Sequence, residues 1–148
     1  IEIGGAGLPI TGFLTHHPAS VTVVDPKLPA HEADTLNGAP CRLRHIPAKL
    51  QEVAIAPAGP YGLVLLGLSL KPFGRRAATP PELLALAAGA AVLVIDYALE
   101  LERAQGQIGA LTATRNDTPA IDLSLTIHDE ALRAAGFDRR RFLVYGDA

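Results

Sequence analysis

The chain opens on a strand-like segment, Ile1-Glu2-Ile3, that runs without a break into Gly4-Gly5-Ala6-Gly7. Glycine lets a backbone bend sharply and approach a neighbour, because no Cβ stands in the way. An apolar strand followed at once by a glycine cluster therefore reads as the first strand of an α/β sheet and its ligand-binding loop. The partner strands are visible as short runs: Val21–Asp25 (VTVVD), Leu63–Leu68 (LVLLGL), Val92–Asp96 (VLVID) and Phe142–Tyr145 (FLVY), with Arg42–Ile46 a weaker candidate. These runs are continuously apolar rather than alternating, the pattern of strands covered on both faces in a mainly parallel sheet.

Helix punctuation separates the runs. Thr79-Pro80-Pro81-Glu82 combines an N-cap, prolines in the first turn and a capping-box acid, and Gly89 can close that helix. Thr126-Ile127-His128-Asp129 opens another, Glu130–Ala135, ended by Gly136; a third is expected near Pro9 and a fourth over Tyr97–Gln105. Gly106–Pro119 breaks the pattern and reads as a long loop or lid. The alternation predicts a three-layer α/β sandwich, one domain over 1–148.

Composition narrows the function classes. A net charge of −2 with pI near 6.2 leaves no basic footprint, so nucleic acid is not an expected partner. The longest apolar runs fall short of the roughly 20 residues a membrane helix needs. One cysteine, Cys41, allows neither an internal disulfide nor a CxxC metal site, and with no secretory signal it points to the cytoplasm. The chain contains no Met and begins at Ile1, which reads as a fragment or processed chain with elements missing before it.

Asp25 ends the second run, where a carboxylate can take both hydroxyls of a ribose. Glu2-Ile3-Gly4-Gly5-Ala6-Gly7 resembles motif I of class I S-adenosylmethionine-dependent methyltransferases, acidic–apolar–Gly–x–Gly–x–Gly, with Ala6 and Leu8 where glycines are usual. Val21–Asp25 resembles that family's second-strand motif, Tyr61–Leu66 its fourth strand and Ala90–Tyr97 its fifth. Leu132–Phe137 followed by Phe142–Tyr145 is similar to its "helix, Ala-Gly-Phe, strand" ending; the terminal antiparallel strand is not visible. The resemblance implies a Rossmann-like domain in which Glu2, Gly4, Gly5, Gly7, Asp25, Gly67 and Ser69 bind S-adenosylmethionine. Within it, Glu2 would hold the methionine end, Gly5 and Gly7 would offer backbone N–H groups to the cofactor carboxylate, and a small molecule would be the acceptor.

Alternatives stay open. Gly4–Thr11 (GGAGLPIT) resembles the loop of nicotianamine synthase-like enzymes, which transfer the aminocarboxypropyl arm of the same cofactor. A non-catalytic domain retaining the methyltransferase fold is another reading. The loop is also similar to that of NAD(P)-dependent short-chain dehydrogenases, yet none of Tyr61, Tyr97 or Tyr145 has the lysine four places on that their proton transfer needs. Methyl transfer asks chiefly for alignment, so no catalytic constellation is assigned. Asp96 and Tyr97 either face the acceptor or cap and pack a helix, and Lys71 reads as a solvated loop residue. His16, His17, His31, His45 and His128 lack ligand spacing, so no metal is expected; Cys41 reads as a buried apolar residue and Arg139-Arg140-Arg141 as a solvated turn.

Overall fold

The computed structural model describes residues 1–5, 7–53, 61–70, 81–87, 90–112, 127–135 and 142–146. The expectations placed on Ala6, Lys71, Thr79, Pro80, Gly89, Thr126, Gly136, Phe137 and Arg139–Arg141 lie outside them, as does 113–119 of the expected lid. Among the described residues seven strands form one sheet: β1 (Glu2–Gly4), β2 (Ser20–Val24), β3 (His31–Leu36), β4 (Ala39–Ile46), β5 (Leu63–Gly67), β6 (Ala91–Tyr97) and β7 (Phe142–Gly146). Their spatial order is β3-β4-β2-β1-β5-β6-β7. The five inner strands run parallel, while β3 and β7 pair antiparallel with β4 and β6 at the edges. The fold is thus α/β with a mixed, mostly parallel sheet.

The helices that lie within the described residues are α1 (Pro81–Ala87), α2 (Ala98–Arg103), α3 (Gln105–Thr112) and α4 (Asp129–Ala134), with 3-10 turns at Ile10–Phe13 and Leu50–Glu52. Successive strand residues point to opposite faces. Val64, Leu66, Val92 and Val94 join a core with Leu83 and Ala87 of α1, Leu101 of α2, and Ile108 and Leu111 of α3. Leu65, Leu93 and Ile95 instead cluster with Ile10, Leu14, Ile127 and Leu132. Each such buried side chain stabilises by about 1.5–3 kcal/mol, which is why these runs are apolar at every position. No helix among the described residues is long and apolar enough to cross a membrane.

Three expectations change. Gly106–Pro119 was expected to be a loop, but its first part lies in α3, because burial of Ile108 and Leu111 outweighs the cost of about 1 kcal/mol for each helical glycine. The helix expected near Pro9 is a single 3-10 turn, Ile10–Phe13. Phe142–Tyr145, expected as a strand of a mainly parallel sheet, lies in the strand Phe142–Gly146 but pairs antiparallel with β6.

Strand β3 was also missed. It returns to β4 through Asn37-Gly38, whose φ angles of 52° and 79° are the paired left-handed values of a type I′ hairpin. Asn-Gly between strand-length segments is the signal that could have found it. Left-handed backbone costs a residue with a Cβ about 1–2 kcal/mol, and a Cβ at Gly38 would meet no atom within 4 Å. Gly38→Ala should therefore lower stability by about 1 kcal/mol through backbone strain alone. Gly12→Ala, at ordinary φ and in equally open space, should cost clearly less in the same urea titration.

Candidate functional site

Strand order reverses at β1, which has β2 on one side and β5 on the other. The carboxyl ends of strands at such a reversal are where open α/β sheets hold ligands. Gly4 and Gly67 are register partners there. A Cβ on Gly4 would run into the Gly67 carbonyl oxygen, and Gly4 sits at φ +86°. Gly5, at φ +108°, leaves only 2.8 Å between a Cβ and Glu2 Oε1, and its N–H donates to the Gly67 carbonyl. The glycines thus let the loop after β1 fold down onto the strand ends. Leu68, next along β5, is at φ 49°, a conformation uncommon for a residue with a branched side chain.

Three buried carboxylates hold the loops in place. Glu2 is wholly buried; its Oε1 accepts the Ile10 N–H at 2.7 Å and its Oε2 the Thr11 N–H at 2.8 Å. Asp25 Oδ2 accepts the Gly7 N–H at 2.8 Å, and Oδ1 accepts the Lys27 N–H at 2.9 Å in an Asx turn. Asp96 Oδ2 accepts the Leu70 N–H at 2.9 Å, and Oδ1 the Tyr97 N–H at 2.8 Å. Among the described residues the ion pairs lie elsewhere, at Arg44–Glu32 and Arg103–Glu100. Burial disfavours the charged form of an acid. It pushes Glu2 up to about 7 and raises Asp96, in both cases against the opposing pull of the N–H donors.

The expected cofactor residues therefore converge on one place but in different roles. Glu2 grips the 3-10 turn with both oxygens. Gly4 and Gly67 are packed against each other. Asp25 ties the β1 loop to the turn after β2. The expectation that Gly5 and Gly7 present N–H groups to a carboxylate is corrected: Gly5 gives its N–H to Gly67 and Gly7 gives its to Asp25. Gly7 is exposed, and a Cβ there would meet only Lys27 Cβ, at 3.9 Å. Ser69 Oγ is buried with no hydrogen-bond partner among the described residues. Asp96 holds backbone N–H groups after β5, and Tyr97 is 46% exposed. Ile10 and Thr11, the partners of Glu2, escaped the sequence reading; the available signal was an acid inside an apolar strand, which needs nearby donors. A cavity of about 520 Å³ opens at the amino ends of β2, β5 and β6, near Ser20, Leu63 and Ala91, and reaches Thr11, whose N–H Glu2 accepts. No family model, curated protein or solved structure matches the chain.

Glu2 also sets a pH dependence of stability. Between the ordinary glutamate value of 4.5 and about 7, the folded chain keeps a proton that the unfolded chain has released. The Glu2 contribution to stability is therefore full below that window and falls as pH rises through it, by about 3 kcal/mol in total. Glu2→Gln should remove this term, so that urea titrations at pH 5 and 7.5 show the parent losing stability relative to the variant. Gln also offers one oxygen where two N–H groups need acceptors, which should lower stability at pH 5 by about 1–3 kcal/mol. Parallel pH profiles for the two proteins would show that Glu2 does not titrate in this range.

Proposed function

We propose that the chain is a Rossmann-like, three-layer domain that binds S-adenosylmethionine and transfers its methyl group to a small-molecule acceptor. The observation that carries this reading is the charge of the reversal point. Glu2, Asp25 and Asp96 are buried carboxylates at or beside it, and neither side-chain ion pair among the described residues includes them, although the Ile1 ammonium acts on Glu2 through space. The N–H groups of Gly5, Gly7, Leu8, Ile10 and Thr11, which would cradle a phosphate, are already occupied. When its acids are ionised, such a floor repels the pyrophosphate of a dinucleotide and attracts a sulfonium and an ammonium group.

The residues present suit the cofactor. Asp25, ending β2, retains lone pairs beyond the two N–H bonds it accepts, and these can take ribose hydroxyls. Ser69 Oγ supplies an unpartnered hydroxyl beside Gly4. Glu2 contributes through the loop it grips and through its charge. When bound, S-adenosylmethionine supplies an alkyl group already activated by the sulfonium, so the chain has to align the acceptor and exclude water. A second reading, a non-catalytic domain that keeps the fold, is favoured by the same satisfied N–H groups, because they leave the described part of the loop few free donors.

Calorimetric titration with S-adenosylmethionine, S-adenosylhomocysteine and NAD(P)H separates the readings. The two sulfur compounds should bind and NAD(P)H should not. Asp25→Asn and Ser69→Ala should each weaken S-adenosylmethionine by about tenfold, the loss of roughly 1.4 kcal/mol of hydrogen bonding. Binding of NAD(P)H alone would sink the proposal, and binding of none of the three would favour the non-catalytic domain. Product identity then separates the transfers: methylthioadenosine would mark aminocarboxypropyl transfer in the nicotianamine synthase-like manner.

A further inference from the structure

The hairpin of β3 and β4 places two histidines from distant points of the chain side by side. His31 and His45 are register partners, so their side chains leave the sheet on one face. Their ring centroids are 5.3 Å apart and the rings are tilted by 54°. Two imidazoles bound to one tetrahedral zinc through nitrogens at about 2.0–2.1 Å have centroids about 5 Å apart. We propose that His31 and His45 form a divalent transition-metal site, of the kind that takes zinc, at the open edge of the sheet.

The surroundings suit such a site. His31 is exposed and His45 half-buried, beside a cleft of about 330 Å³ bounded by Ala30, Ile46 and Pro47. Glu32 and Arg44, the next register pair, also line this cleft and are paired with each other at 3.8 Å. Among the described residues no group of three or more His, Cys, Asp and Glu side chains gathers for a metal. The site therefore has two protein ligands, with water in the remaining positions, and its affinity belongs in the micromolar rather than the nanomolar range. It adjoins the reversal point, because the Asp25 N–H donates to the carbonyl of Ile46, the residue after His45.

The test is calorimetric titration of the intact chain with zinc chloride in a non-chelating buffer at pH 7.5. One equivalent should bind, with protons competing for the site as the pH is lowered. His31→Gln and His45→Gln should each weaken binding by about tenfold or more, while the double substitution His16→Ala and His17→Ala should leave it unchanged. His31 is exposed, so that variant decides the matter if the His45 substitution disturbs folding by circular dichroism. Absence of binding, binding that survives His31→Gln, or binding lost with His16 and His17 would each overturn the proposal.

Discussion

The structure depends on buried carboxylates that take the place of a packed loop. At the carboxyl edge of the parallel strands, the described segments that leave the sheet start as turns and short helices. Glu2, Asp25 and Asp96 accept the backbone N–H groups of those segments, joining the β1 loop, the β2 turn and the start of the β5 loop to the strand ends. An isolated buried charge costs several kcal/mol, and hydrogen bonds to a charged group return about 1.5–3 kcal/mol each. The raised pKa values of Glu2 and Asp96 show that the return is incomplete. The edge is held together, and the proton that Glu2 keeps up to about pH 7 limits the charge buried there.

Close backbone approach is the second part of the same design. Gly4, Gly5 and Gly67 let two strand ends and one loop pass within contact of each other. The left-handed Leu68 follows at once on β5, so strained backbone is concentrated where the strand order reverses. Farther along, the cores on the two faces are ordinary apolar packing. The contrast separates two parts of the molecule: left-handed backbone and buried carboxylates at one edge, apolar interdigitation across the middle.

Much of this was legible because apolar runs are read directly by the sheet. Leu63–Leu68 and Val92–Asp96 are buried on both faces, as their continuity implies, and Pro81-Glu82 begins a helix as its punctuation implies. Glu2 and Asp25 were recognisable as unusual, since an acid inside or ending an apolar strand needs a reason. Their hydrogen-bond partners were not recognisable. Whether Glu2 turns toward a ligand or toward the N–H groups of Ile10 and Thr11 depends on how the following turn folds back. The hairpin of β3 failed for a different reason. Its residues are exposed and charged, so no apolar run marks it, and only the Asn37-Gly38 turn announces it. Helix α3 was missed because glycine and polar residues hide two buried positions, Ile108 and Leu111.

By itself, the sequence determined the class of fold, the glycine loop and the two acids beside it, because hydrophobic continuity and glycine content are local properties. Only the tertiary structure decided what those acids do, since a carboxylate's role depends on which donors other parts of the chain bring within about 3 Å. The same holds for His31 and His45, whose spacing along the chain says nothing until strand register sets them face to face. Burial and register arise from the packing of distant segments, so the charge of the site, unlike its position, could be read only from the folded chain.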